Sequence, residues 1–535
     1  MFRCLVPALW LAWLASGQAA TNAIVTIATN VPAGVSQLRL GVTHTQVFWE
    51  KGDPTAVARA RNLLAPAVRL QNQSIMGWGA GPVLQTAPGA AFDFSGLDAR
   101  VELMRSLGGT MALTLCTAPG WMKTSGQDWN MEDRVADSHV ADFAQLCQAI
   151  AQRYAHVQYF IVWNEMKGYW NSSLRNSDGS YGNWDYVRYT TLYNAVYNAI
   201  KSVRPDAQVG GFYLPVAGDG SNTRGYSGTG TETPMLTRDL DCLNYWLAHK
   251  AGADFIAVDR WLAAYNNPNQ LTEADQLALT WTYQTVLQLL RAKTNLPIWF
   301  SEYYTASYNP GGSQFVACAE ASMYYSMIKG AGTTPVTALL WDPSEGESGV
   351  AHYLFTSTAA ASGGQPTPHY AVFQWFHDYF GPGTPLCQAS SSDPGIQVLA
   401  TPSTTLLINQ YNTDQTVTVN GSVQVLPAYG VVLIPTPGQG LRISCHYTNS
   451  QFTLEFQGSS ALTYLLETSS NLVDWLPLLT NAPTNGYFTF TETNAPLLPN
   501  AFTGSDSNLR EIGSGGRSLP DQAVVLIDWF FGGRP

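Results

Sequence analysis

Charged side chains are scarce in this sequence. Asp, Glu, Lys and Arg make up 12% of the 535 residues, about half the usual share. The 27 Lys and Arg residues against 38 Asp and Glu residues leave a formal net charge of −11 at pH 7. Nucleic acids and anionic membranes bind clustered basic side chains, so we expect neither as a partner. The apolar fraction of 45% is enough for a sizeable buried core.

Long apolar runs are also missing. After the first twenty residues, no segment reaches the roughly 18 consecutive apolar residues that a membrane span needs. Residues 1–19 combine a basic residue, a short apolar stretch and small residues at the usual cleavage offsets, a pattern typical of a secretory signal peptide. We therefore predict a secreted or periplasmic protein with no membrane span; a buried N-terminal helix is the alternative for this segment.

Cysteine is sparse and scattered. Cys4 would leave with the signal peptide, and no C-x-x-C pair occurs among the other six cysteines, which excludes zinc-knuckle and thioredoxin-type motifs. H-E-x-x-H, G-x-S-x-G and phosphate-loop motifs are absent as well. We predict no metal and no cofactor, and the sequence leaves disulfide pairing and oligomeric state open.

Between residues 37 and 383, short apolar runs alternate with amphipathic helical patterns. The runs are continuously apolar, as expected of parallel strands covered on both faces. Eight such units predict an α/β protein with a (β/α)8 TIM barrel. The alternative, an open doubly wound sheet, lacks a G-x-G-x-x-G after its first strand. The predicted strands are 38–42, 67–70, 110–115, 159–163, 208–213, 254–258, 297–300 and 336–341.

Short β patterns flank the barrel on both sides. Residues 20–36 and 384–437 are predicted to pair into a small β-sandwich built from both chain ends. A C-terminal β-rich accessory module is expected at 438–535, and its role, carbohydrate attachment or surface sorting, stays open.

Two glutamates directly follow buried strands, where barrels carry their functional groups. Glu165 follows the fourth predicted strand, with Asn164 beside it, and Glu302 follows the seventh. An ionised, unpaired carboxylate is costly to bury there, so we predict a functional pair; glutamates paired with barrel arginines are the structural alternative. Cleavage of a glycosidic bond requires two such carboxyls, one to protonate the leaving oxygen and one to attack or to activate water.

These residues resemble a known family. Trp163-Asn164-Glu165 and Ser301-Glu302 look like the acid/base and nucleophile motifs of the clan A retaining glycoside hydrolases. Residues 118–123 (Ala-Pro-Gly-Trp-Met-Lys) are similar to a segment of glycoside hydrolase families 39 and 30. The resemblance spans about residues 22–437 and is greatest to family 39, the β-xylosidase and α-L-iduronidase family.

The resemblance implies a role for several residues. Glu165 would be the general acid/base and Glu302 the nucleophile. Asn164 would bind the sugar 2-hydroxyl, Arg69 would sit beside Glu302 and keep it ionised, and Trp341 would form a sugar platform.

Further candidates line other predicted strand ends. His44 is either a hydroxyl-binding group or a core histidine, and Trp121 and Tyr213 line the sugar pocket or the core. The sixth strand departs from the family, which has His or Tyr there. In this sequence Asp259 follows instead, either binding a sugar hydroxyl or pairing with Arg260.

The expected function is therefore that of a secreted retaining glycosidase acting on plant or microbial oligo- or polysaccharides. An exo-acting, β-xylosidase-like enzyme is favoured. An endo-acting glycanase and a non-catalytic carbohydrate-binding barrel are the alternatives. Retention predicts carboxyl groups about 5–5.5 Å apart rather than ~6.5–9.5 Å.

Overall fold

The computed structural model describes residues 22–44, 48–77, 81–216, 235–262, 272–305, 312–345 and 352–436, and the backbone of six strands beyond residue 441. The predicted signal peptide, residues 1–19, lies outside the described residues. No helix within the described ranges is long and apolar enough to cross a membrane.

Strands and helices alternate through most of the chain. The strands up to residue 435 are β1 (Ala23–Val35), β2 (Leu38–His44), β3 (Leu70–Ser74), β4 (Thr110–Leu115), β5 (Tyr159–Val162), β6 (Trp170–Arg175), β7 (Tyr181–Trp184), β8 (Gln208–Pro215), β9 (Phe255–Trp261), β10 (Ile298–Tyr304), β11 (Val336–Trp341), β12 (Pro385–Ser391), β13 (Ile396–Ala400), β14 (Thr404–Asn409), β15 (Gln415–Val419), β16 (Ser422–Leu426) and β17 (Val431–Pro435). The helices are α1 (Pro54–Ala67), α2 (Ser95–Leu107), α3 (Val140–Arg153), α4 (Tyr186–Val203), α5 (Thr237–His249), α6 (Glu273–Leu279), α7 (Trp281–Lys293), α8 (Gly312–Ala331) and α9 (Pro368–Tyr379).

Eight strands close into a parallel barrel, which confirms the predicted fold class. Around the barrel the order is β10-β11-β2-β3-β4-β5-β8-β9. Side chains such as Leu70, Ile161, Phe255 and Trp299 fill the barrel interior, and the outward side chains pack under the helices. Burial on both faces explains why continuous apolar runs located seven of the strands.

The second barrel strand differs from the prediction. Helix α1 continues through Pro66 to Ala67, and Val68 caps it, so the apolar residues assigned to this strand belong mostly to the helix end. The strand itself is Leu70–Ser74, and after Leu70 all its side chains are polar. Apolar patterning does not detect such a strand.

A second sheet is built from both ends of the described barrel region. Its seven strands run β16-β15-β1-β12-β13-β14-β17. Strand β1 pairs antiparallel with β12 and parallel with β15, so the N-terminal strand joins the strands that follow the barrel, as predicted. This sheet has its own apolar core, which includes Val25, Ile27, Val398 and Val417.

Beyond residue 441 the backbone is β-rich. The strands are β18 (Arg442–Thr448), β19 (Gln451–Gln457), β20 (Thr463–Ser469), β21 (Leu476–Asn481), β22 (Tyr487–Thr493) and β23 (Gln522–Asp528). They form two three-stranded sheets, β18-β19-β22 and β21-β20-β23.

Candidate active site

Glu302 reaches the mouth of the barrel because β10 contains a bulge. Trp299 faces the barrel interior, and strict alternation would turn the side chain three residues later outward. The register of β10 against β9 shifts between Phe300 and Glu302. That extra residue turns Glu302 inward, next to Asp259 of β9, and leaves its side chain buried.

Glu165 lies on a tight turn directly after β5. Trp163, Glu165 and Met166 have positive φ angles of 67°, 47° and 48°, a left-handed conformation that costs a residue other than glycine roughly 1–2 kcal/mol. The Trp163 indole holds the turn by donating to the carbonyl of Lys167, with Nε1 and O 2.9 Å apart. The Glu165 side chain keeps 17% exposure, so a ligand can reach it.

Three carboxyl groups meet at this mouth. One oxygen each from Glu165, Asp259 and Glu302 lie within 4.8 Å of one another. Strands β5 and β10 are three steps apart around the barrel, and both glutamates face its mouth. The structure thus brings together the two residues that the sequence singled out for chemistry.

Lys167 joins this cluster, although the sequence analysis missed it. Its Nζ lies 2.7 Å from Glu165 Oε2 and 3.3 Å from Glu132 Oε1. Burial would lower the pKa of Lys167, but the negative charges of Glu165 and Glu132 outweigh it and raise that pKa, so Lys167 is a cation. Its position two residues after Glu165 is the signal that could have identified it.

The carboxyl cluster also bears on metal binding. Three carboxylate oxygens are ligands of the kind that Ca²⁺ or Mg²⁺ takes, but those ions need six or more ligands. The ammonium group of Lys167 already contacts Glu165, so the described residues fit a cation-bound carboxylate better than a metal centre.

Asp259 enters the barrel mouth from β9. Phe255 and Ala257 of the same strand face the interior, so alternation turns Asp259 inward and Arg260 outward. Arg260 instead donates to the Thr282 hydroxyl and the Val216 carbonyl. The predicted alternative of an Asp259–Arg260 pair is therefore wrong, because adjacent strand residues point to opposite faces.

The environment raises the pKa of both buried acids. Burial, followed by the negative charge of Glu165, raises the pKa of Glu302 well above its usual value. The charge of Lys167 and the hydroxyl of Tyr213 act in the opposite direction. Burial, followed by the charges of Glu302 and Glu165, likewise raises the pKa of Asp259. Glu302 and Asp259 therefore hold protons more tightly than exposed acids do.

Tyr213 contacts Glu302 directly. The register of β8 against β9 shifts between Gly211 and Leu214, and Phe212 has φ 76°. At this bulge the Tyr213 ring faces the interior, and its hydroxyl donates to Glu302 Oε1 at 2.8 Å. Tyr213 is thus fully buried in the barrel interior and contacts a candidate catalytic residue; that it lines a sugar pocket stays a prediction.

Arg69 does not lie beside Glu302. It precedes β3, at the opposite end of the barrel from the carboxyl cluster, and its exposed side chain donates to His377 Nε2 with Nε 2.6 Å away. The expectation failed because the strand begins at Leu70 instead of ending there.

His44 belongs to the core. It ends β2 but faces the helix layer, where its Nε2 lies 2.9 Å from Gln71 Oε1. Gln71 in turn donates to the carbonyl of Met104 in α2. Burial lowers the pKa of His44 to about 4, so the ring is neutral. The hydroxyl-binding interpretation is thereby corrected.

Of the three remaining predicted substrate-binding residues, two lie at the barrel mouth and one lies on a neighbouring turn. Asn164 is 3% exposed and adjoins Glu165, and Trp341 ends β11 on the same inward face as Leu339. Trp121 lies on a 3-10 turn, Gly120–Met122, where its Nε1 donates to the carbonyl of Gln85 at 3.1 Å. That bond anchors Trp121 to a neighbouring loop.

The fold is shared with solved structures. The chain is similar to SrfJ from Salmonella typhimurium, with a TM-score of 0.53 and 12% identity over 77% of this chain and 92% of that one. Other similar structures are a GH39 β-xylosidase from Caulobacter crescentus (TM-score 0.48, 16% identity, 74% and 83% covered) and the endo-β1,6-glucanase BT3312 (TM-score 0.49, 12% identity, 78% and 96% covered). No protein-family model and no curated protein matches the sequence. A GH30 xylanase C from Talaromyces cellulolyticus is also among the similar structures (TM-score 0.47, 14% identity). At these identities the likeness is at most one of fold.

Proposed function

We propose that this protein is a retaining glycoside hydrolase. The observation that carries the proposal is the approach of Glu165 and Glu302 within 4.8 Å at the ends of two barrel strands. Retaining enzymes place their carboxyl groups about 5–5.5 Å apart, whereas inverting enzymes leave ~6.5–9.5 Å for a water molecule. The short separation favours direct attack by one carboxylate.

In the first step, Glu302 attacks the anomeric carbon and the bond to the leaving oxygen breaks. Glu165 gives its proton to that oxygen. In the second step, Glu165 takes a proton from water, whose oxygen attacks the anomeric carbon and releases Glu302. Two inversions at one carbon give net retention.

Two neighbours support these roles. The Tyr213 hydroxyl, 2.8 Å from Glu302 Oε1, stabilises the ionised nucleophile and orients it. Lys167, 2.7 Å from Glu165 Oε2, fixes the rotamer of the acid/base and stabilises the anion that remains after proton transfer. Both contacts therefore stabilise carboxylate anions that the reaction requires, ionised Glu302 before attack and ionised Glu165 after proton transfer.

The finer features of the proposal rest on the resemblance. It implies a secreted exo-acting enzyme that removes β-linked xylose, with Asn164 and Trp341 contacting the sugar. The described part of the site contains no contact that selects xylose over other sugars, so the sugar must be found by assay.

The test is hydrolysis of a panel of chromogenic aryl glycosides. We expect the wild type to release the chromophore, and Glu165→Gln and Glu302→Gln to lower kcat/KM by at least ~1,000-fold on the active substrate. Glu102→Gln, whose side chain is 59% exposed on α2, is the matched control and should be unaffected. Equal rates in all four proteins would overturn the proposal.

A further inference from the structure

Acidic side chains outnumber basic ones in the described part of the site. Oxygen atoms of Glu165, Asp259 and Glu302 lie within 4.8 Å of one another, and Lys167 contacts one of the three, Glu165. The ammonium group of Lys167 also forms an ion pair with Glu132, with Nζ and Oε1 3.3 Å apart. A carboxylate can bind a neutral sugar through a hydroxyl group, but a surplus of carboxyl groups also suits a cationic sugar.

Asp259 is the residue that the mechanism leaves unused. It is 0% exposed and faces the mouth of the barrel, its carboxyl adjoins that of Glu165, and no basic side chain among the described residues pairs with it. Buried carboxyls are normally paired or hydrogen-bonded. A bound ligand is therefore the natural partner of Asp259.

Four segments outside the described residues follow β8, β9, β10 and β11 in the sequence. Their sequences, residues 217–234, 263–271, 306–311 and 346–351, contain one basic residue, Arg224, against Asp219, Glu232 and Glu347. The composition of these segments does not offset the negative charge of the cluster.

The distances restrict which part of a sugar Asp259 can contact. The anomeric carbon must lie between Glu165 and Glu302, and Asp259 lies within 4.8 Å of both. Its partner is therefore a substituent next to the anomeric carbon, on carbon 2 of the same ring. On the basis of the proposed function, we propose that this substituent is a cationic amino group, so that the enzyme cleaves glycosides of 2-amino-2-deoxy sugars rather than xylosides.

The positive charge that develops on the sugar in the transition state is consistent with an amino group on carbon 2. Cleavage of such a glycoside places a developing oxocarbenium charge beside an ammonium group, two positive charges on neighbouring carbons. With Glu165 protonated for its acid role, Glu302 and Asp259 supply two negative charges, while Lys167 is balanced by Glu132. With an amino sugar the third carboxylate thus acts as a counter-ion, a function that goes beyond accepting a hydrogen bond from the hydroxyl of a neutral sugar.

The test compares matched aryl β-glycosides that differ at carbon 2 alone. The full chain is assayed on the glucosaminide, glucoside and N-acetylglucosaminide, and on the corresponding galacto compounds, at about pH 6.5, where an amine with a pKa of about 7.7–8.0 is charged. We expect kcat/KM for one amino glycoside to exceed that of its neutral counterpart at least roughly tenfold. Asp259→Asn should remove this preference.

A binding measurement complements the kinetics. Glucosamine or galactosamine should raise the Tm of the wild type more than glucose or galactose does, and Asp259→Asn should abolish the difference. If neutral glycosides are hydrolysed as fast or faster, in a manner that depends on Glu165 and Glu302, the amino-sugar inference is overturned and the proposed function stands. If no compound of this panel and no xyloside or other aryl glycoside of the wider panel is hydrolysed, the proposed function fails. Absence of preferential amino-sugar binding then rejects the inference separately.

Discussion

The hydroxyl of Tyr213 in β8 donates a hydrogen bond to Oε1 of Glu302 in β10, with the two oxygens 2.8 Å apart. Both residues owe their position to a register shift against β9, the strand that lies between them. In the family that the sequence resembles, a tyrosine after the sixth strand contacts the nucleophile. Here a tyrosine of the fifth barrel strand makes that contact, and Asp259 follows in the sixth.

Removal of this hydrogen bond should impair the nucleophile. Tyr213 lowers the pKa of Glu302 against the larger effect of burial, and attack requires ionised Glu302. In Tyr213→Phe we expect kcat/KM to fall about 10–100-fold, since hydrogen bonds to charged groups contribute ~1.5–3 kcal/mol. The acid limb of the pH profile should move to higher pH. Tyr370→Phe, which removes a hydroxyl bonded to the Leu63 carbonyl outside the site, should change neither quantity.

Removal of the ammonium group of Lys167 should also shift the acid limb of the pH profile. Its charge also lowers the pKa of Glu302, so Lys167→Met should move the acid limb of kcat/KM to higher pH, whereas Lys167→Arg should retain most of the wild-type profile. A profile of Lys167→Met that coincides with the wild type would show that the lysine does not act on the carboxyl cluster.

Neutralising the buried acids should stabilise the fold. A carboxyl whose folded pKa is raised favours the folded state most at low pH, and that contribution is lost as the pH rises through the folded pKa. Asp259 and Glu302 both have raised pKa values. At pH 8 we therefore expect Asp259→Asn and Glu302→Gln to increase the free energy of unfolding by about 1–2 kcal/mol. The Tm of each variant should rise accordingly. The gain should vanish near pH 4, and Glu102→Gln serves as the exposed control in thermal melts.

Arg69 should be dispensable for catalysis. Its side chain is exposed and bonded to His377 at the far end of the barrel. Arg69→Ala should leave kcat/KM within about twofold of wild type, because surface substitutions usually act within ±0.5 kcal/mol. A large loss in steady-state assays would instead support the role that the family resemblance implied.

The sequence alone predicted the barrel and the two glutamates, because both leave a pattern in consecutive residues. Continuous apolar runs predicted the barrel, and a carboxyl directly after a run predicted Glu165 and Glu302. Strand β3 escaped because its side chains after Leu70 are polar and because the preceding apolar residues end α1. Because the predicted strand ended at Leu70 instead of beginning there, Arg69 was assigned to the wrong end of the barrel.

The remaining differences arise from side-chain direction. His44 and Asp259 both lie near strand ends, but alternation turns His44 to the helix layer and Asp259 to the barrel mouth. The bulges that turn Tyr213 and Glu302 inward leave no simple mark in the sequence. Lys167 was overlooked because its contact with Glu165 depends on the left-handed turn between them.

The stereochemistry of hydrolysis tests most directly whether Glu165 and Glu302 flank one sugar ring with Glu302 as the attacking group. Proton NMR during cleavage of an aryl β-glycoside by the wild type identifies the anomer formed first, before mutarotation. Carboxyls within 4.8 Å of each other predict the β-anomer, through a glycosyl-enzyme on Glu302. First formation of the α-anomer would mean that water attacks directly and would contradict the account.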